Sequence, residues 1–250
     1  MTPRIPSALR QQWRDLADAQ PQDGTFSRAA VAGLPEPARR WLTHAIADGT
    51  PLASCAELEM HGTIRIGRWR PFTARQVLRP SAGFIWTATA RVAGVPVVGF
   101  DRYTAASGQM RWRLAGLVPV MSGADADITR SAAGRLAAEG AVLLPTSFRI
   151  PRWDGASATW SIDGCEETVE LDIGADGTLR GVSMLRWGNP NGNPNGGSFG
   201  RYPFGVTVDA ERQFGGIRIP ARFRAGWWHG TAREGEGEFF RAEITAATFR

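Results

Sequence analysis

Residues 56–66 read AELEMHGTIRI. Ala56, Leu58, Met60, Ile64 and Ile66 share one parity, and Glu57, Glu59, His61, Thr63 and Arg65 share the other. Side chains alternate across a strand, so a period of two with one apolar and one polar set predicts a half-buried antiparallel strand. The pattern continues toward the C-terminus at 70–79, 84–92, 96–103 and 109–114, then at 159–162, 168–173, 178–187, 204–214, 217–228 and 238–249. Ten or eleven strands joined by short turns predict one large, curved antiparallel sheet, a β half-barrel.

The period upstream is different. In PSALRQQWRDLADA, Leu9, Trp13 and Leu16 fall on one helical face. In GLPEPARRWLTHAIADG, prolines 35 and 37 suit a first helical turn, Trp41, Leu42 and Ile46 form a stripe, and Gly49 ends it. One helix interrupts the strands at 127–139, DITRSAAGRLAAE, with Asp127 as its cap and Gly140 as its stop. The expected organisation is a helical segment over 1–50 packed on the sheet and a single half-barrel domain over 51–250. Both N-terminal helices and the 127–139 helix are expected on the concave side.

Composition removes several chemistries. The net charge is +5, and all 29 basic residues are arginine. Without lysine there is no Schiff-base residue, no pyridoxal-phosphate anchor and no P-loop lysine. Cys55 and Cys165 lie in no metal-binding spacing and read as reduced and packed. His44, His61 and His229 are far apart, so no zinc site is signalled. The segment MTPRIPSALRQQWRDLADAQ has no apolar core of the signal-peptide kind, and no run is long enough for a membrane span. A cytoplasmic protein without cofactor, metal or stable membrane insertion is expected.

Residues 187–200, WGNPNGNPNGGSFG, are the one glycine-rich stretch with the composition of an anion-binding loop. Such a loop needs a helix after it, and the segment that follows, RYPFGVTVDAERQF, has the strand pattern. Asn-Pro-Asn-Gly suits a type I turn. Residues 188–200 therefore read as an exposed connection between two neighbouring antiparallel strands.

Several strings together carry a resemblance: LPEPARRWL (34–42), GFDRY (99–103), MRWRLAGLVPV (110–120), DITRSAAGRLAAE (127–139), LLPTSF (143–148), RWGNP (186–190), PFG (203–205), GWWHG (226–230) and GEFFRA (237–242). In this order they resemble a bacterial family of unknown function, common in actinobacteria and proteobacteria. The family implies no activity. At the level of fold, strands broken by a helix are similar to the half-barrels of periplasmic lipoprotein carriers, which hold an acyl chain between a curved sheet and helices on its concave face.

Parity also separates aromatics from arginines. Met110, Trp112 and Leu114 face inward while Arg111 and Arg113 face outward, and Ile217, Ile219, Phe223 and Trp227 oppose Arg218, Arg222 and Arg224. A nucleic-acid surface needs both kinds on one exposed face, so no nucleic-acid partner is expected. The leading reading is a non-enzymatic binder of a hydrophobic or amphipathic small molecule. Its expected lining is Trp86, Phe100, Trp112, Met121, Trp187, Phe204 and Trp227, with Asp101, Tyr103 and Arg130 as polar contacts. Arg130 is the candidate for an anionic headgroup or for a tie between the helix and Asp101. One alternative is an enzyme that uses Asp101, Tyr103, Arg130 and Glu139 as a polar cluster; another is a solid-core protein acting through its arginine-rich surface. No nucleophile motif assigns a catalytic residue.

Overall fold

The period-two segment quoted above is a strand over its full length, and the strands around it assemble as one sheet. The computed structural model describes residues 3–18, 22–192 and 198–250. Two helices come first, α1 (Arg10–Ala17) and α2 (Glu36–Ala45). A first meander follows: β1 (Ala56–Ile66), β2 (Arg68–Arg79), β3 (Gly83–Val92), β4 (Val95–Thr104), β5 (Ser107–Leu114) and β6 (Val118–Gly123). After α3 (Ala126–Leu143) comes a second: β7 (Arg152–Asp154), β8 (Ser157–Ile162), β9 (Cys165–Ile173), β10 (Leu179–Gly188), β11 (Gly200–Phe214), β12 (Ile217–Trp227) and β13 (Glu238–Phe249), with a single-turn helix α4 (Glu234–Gly237) before the last strand.

All thirteen strands lie in one open sheet, ordered β6-β5-β4-β3-β2-β1-β13-β12-β11-β10-β9-β8-β7. Each paired neighbour is antiparallel, and the two meanders meet where the first strand pairs with the last, from Ala56 opposite Phe249 to Ile64 opposite Phe240. The chain thus leaves the first meander at one edge of the sheet and enters the second at the other. The connection between those edges has to cross a face, and α3 makes that crossing, packing on β4 and β5 on one side and β8, β9 and β10 on the other. The mainly β half-barrel expected from the strand pattern is the observed fold.

Details differ from the sequence reading. The strand count rises to thirteen through β6 and β7. A three-residue strand such as β7 is too short to show a period, and β6 exposes nearly all its side chains, so neither alternates in sequence. The inserted helix is longer than 127–139. Asp125, not Asp127, caps it, its carboxylate accepting from the Ile128 amide at 2.9 Å. Gly140 lies within the helix rather than ending it, where a Cβ would come to 3.2 Å of both Pro80 and Trp160. There the absent side chain serves close packing, and the helix runs on to Leu143, two residues before Pro145.

The placement of α1 is a correction. α2 and α3 join the main core, but Leu9, immediately before α1, and Trp13 and Leu16 of α1 form a separate cluster with Val77, Ile85 and Phe100, which point to the opposite face of the sheet. The Trp13 indole donates to Glu57 at 3.1 Å, and Arg75 stacks over its ring. An amphipathic helix needs an apolar surface, and the inward half of this sheet is already covered by α3.

Across residues 187–200, Gly188 pairs with Gly200, so the stretch connects two adjacent antiparallel strands. Residues 193–197, which include the second Asn-Pro-Asn-Gly tetrad, lie outside the described residues.

Candidate ligand cavity

Each strand contributes its inward parity to the concave face. Gln76 lies between Ala74 and Leu78 on β2, Trp86 shares its parity with Phe84 and Ala88 on β3, and Asp101 sits two residues before Tyr103 on β4. A helix adds a stripe: Arg135, Ala138, Glu139 and Val142 of α3 recur at the spacing of one helical face. Between this stripe and the sheet lies a cavity of about 620 Å³. Its walls come from both meanders, with Ile64, Val92 and Leu114 on one side and Val206, Phe223 and Phe240 on the other. Only a curved sheet can bring β3 and β11 to one space.

At the α3 end the cavity is polar. Arg135 donates to Asp101 at 3.2 Å and to Glu139 at 2.7 Å, and Gln76 donates to the other Glu139 oxygen at 2.6 Å. The Trp112 indole donates to Asp101 at 3.1 Å. Arg135 also lies over the rings of Phe84 and Trp86. Burial pushes the Asp101 carboxyl above its usual range, while Arg135 and the Trp112 hydrogen bond pull the other way. The surface Asp101 retains faces the cavity.

Arg186 of β10 completes the cluster. Its guanidinium donates to the Ser131 carbonyl at 3.3 and 3.2 Å and lies over the rings of Phe204 and Trp227. Among the described residues no carboxylate comes within ion-pair distance of it. Burial, reinforced by the positive charge of Arg135, pushes its pKa down to about 10. It stays protonated at neutral pH, a buried cation whose polar partner is a backbone carbonyl.

Of the residues expected at the site, Trp86, Asp101, Trp112, Met121 and Phe204 line the cavity, as does Glu139. Trp227 lies on the same face, edge-on to Phe204 at 5.2 Å, but outside the lining. Phe100 is a correction: adjacent to Asp101, it has the opposite parity and packs under α1. Tyr103 shares the parity of Asp101 but donates its hydroxyl to Asp163. Arg130 stacks over Trp187 of β10 at 3.8 Å, and the Trp187 indole donates to Asp127 at 2.9 Å, so the two pack together beside the first turns of α3 and neither lines the cavity. The tie from the helix to Asp101 exists, but Arg135 makes it. The four-residue cluster of Asp101, Tyr103, Arg130 and Glu139 is therefore not assembled in one place. Three residues of the site were not among those expected there, Arg135, Arg186 and Gln76. The signal for Arg186 was present, since it shares its parity with the buried Val182 and Met184.

An open antiparallel half-barrel, with a helix laid across its concave face and an apolar cavity between them, defines the class of this protein. The chain belongs to the family of unknown function DUF6544, whose profile matches residues 24–241. No curated protein matches it. Solved structures similar to the chain include two that share its fold. One is a domain assigned as an outer membrane lipoprotein-sorting protein from Vibrio parahaemolyticus, 6% identical over 79% of this chain and 86% of that one, with a TM-score of 0.37. The other is a LolA superfamily protein from Nitrosomonas europaea, 8% identical over the same shares, with a TM-score of 0.39. Among the described residues no helix is long and apolar enough to cross a membrane, and no group of three metal-ligating side chains occurs.

Proposed function

We propose that the protein binds an amphipathic small molecule, its apolar part in the half-barrel and an anionic headgroup on Arg186. The observation that carries this reading is the cavity itself. It has the size of a small-molecule site, its walls are apolar over most of their length, and its polar groups other than Arg65 at the mouth converge at one end. Arg135 is held by both carboxylates there, while Arg186 has no carboxylate within ion-pair distance among the described residues and is the cation left without an anionic partner in contact. A carboxylate or phosphate head would supply the charge-assisted hydrogen bonds that the Ser131 carbonyl only begins to provide.

A fluorescent fatty acid should bind saturably and quench tryptophan emission, since Trp86 and Trp112 line the cavity. Each methylene buried contributes about 0.8 kcal/mol, roughly a fourfold gain in affinity, until the cavity is full. Trp112→Ala should shift the preferred chain length upward. Arg186→Met should keep affinity for a neutral monoacylglycerol and lose the preference for the fatty acid. An absence of saturable binding at every chain length overturns the reading.

A further inference from the structure

The open end of the cavity has a composition of its own. Three hairpin tips stand side by side along the first meander, joining β1 to β2, β3 to β4 and β5 to β6. All three reach the cavity: Ile66, Val92, Leu114, Val120 and Met121 line it. Among the described residues eight large hydrophobic side chains are exposed, and six of them, Trp69, Val95, Leu117, Val118, Val120 and Met121, lie on these tips or on β6 beside them. Leu117 is 76% exposed and Met121 50%. Burial in this chain's own core explains none of them, and a contiguous apolar rim around a cavity mouth marks a contact surface.

The charge around the rim is one-sided. From His61 to Gly123 the chain has nine arginines and one carboxylate, Asp101, which faces the cavity. Five of those arginines, Arg65, Arg68, Arg70, Arg91 and Arg113, make no ion pair among the described residues. The acidic groups of the β12–β13 connection and the start of β13 are already engaged: Glu234 with His229, Glu236 with Arg233, and Glu238 with Arg224 and Arg241.

We infer that this rim docks on an anionic lipid bilayer, with Leu117, Val118 and Val120 entering the headgroup region and the arginines around them meeting lipid phosphates. Apolar tips ringed by basic side chains are what an interfacial surface requires: the apolar groups gain by leaving water, and arginine stems run along the hydrocarbon while their heads stay among the phosphates. The alternative occupant of an exposed edge strand, β6 of a second copy, is opposed by Pro119, which withholds a backbone donor from the edge. Docking at this rim goes beyond ligand binding, since it would let an amphipathic molecule pass between bilayer and cavity without crossing water.

Vesicle flotation tests the inference without any cavity ligand. The protein should float with vesicles of equal parts phosphatidylglycerol and phosphatidylcholine at low salt, but not with phosphatidylcholine alone. Added salt should release it. Leu117→Glu combined with Val120→Glu should cut the bound fraction at least tenfold, and each charge reversal at Arg68 or Arg91 should cost about fivefold or more in partitioning. These side chains are exposed, so near-ultraviolet circular dichroism should show the variants folded. Ile150→Glu, exposed beside the opposite edge strand, should float like the parent. Failure of the parent to float with anionic vesicles, equal flotation of the Leu117/Val120 variant, or a dimer that dissociates on those substitutions would each overturn the proposal. Fatty-acid quenching in solution is a separate measurement, so docking and cavity binding fail independently.

Discussion

Charge inside the cavity turns on Asp101. The groups facing it are Arg135, Arg186 and Glu139; with all four ionised, two positive and two negative charges cancel. Burial raises the Asp101 pKa, so acidification protonates it before an exposed aspartate and leaves the cluster net positive. A sulfonate headgroup stays ionised throughout. A short alkyl sulfonate, below its micelle concentration, should therefore bind more tightly as the pH falls through the raised pKa, measured by calorimetry. Asp101→Asn should hold the tight limb at every pH. Stability carries the same sign: with the folded pKa above the unfolded one, the contribution of Asp101 is complete below the unfolded value and is lost as pH rises through the folded one.

Elements meet through small residues. Gly108 of β5 faces the first turn of α3, and a Cβ there would fall 2.6 Å from the Thr129 Cα and 2.8 Å from the Ile128 carbonyl. Both are backbone atoms, so no rotamer change relieves the clash. The Gly108 amide also donates to the Thr129 hydroxyl at 3.1 Å. Gly108→Ala should cost about 1–3 kcal/mol as strand and helix are forced apart. It should appear as a lower urea midpoint at unchanged slope. An unchanged midpoint would mean that α3 does not lie this close to β5. At Gly140, by contrast, the opposing atoms belong to the Pro80 and Trp160 side chains.

At the scale of the molecule, two meanders are held together by one strand pair and one crossing helix. β13 lies between β1 and β12, with Ala242 and Ile244 buried in the core. Truncation after Gly237 would leave β1 and β12 as exposed edges and remove the register that joins the first half of the chain to the second. The truncated protein should lose its cooperative thermal transition, recorded by calorimetry. A retained sharp transition would show that one meander and α3 fold as an independent unit.

Alternation in residues 56–66 and its recurrence downstream determined the strands other than β6 and β7 and which side chains share a face, because side-chain direction is a local property of extended backbone. That information placed Trp86, Trp112 and Phe204 inward, and it carried the inward parity of Arg186 as well. It could not pair the first strand with the last, since the sequence separation of Ala56 and Phe249 is bridged only by tertiary contacts. Nor could it choose a face for α1: its apolar stripe fits either side of a sheet, and the side left open by α3 settled the matter. The same limit explains the two arginines of α3. Periodicity says that Arg130 and Arg135 point in different directions; which of them meets Asp101 depends on the rotation of the helix against the sheet, and that was decided by the close approach at Gly108, Gly134 and Gly140.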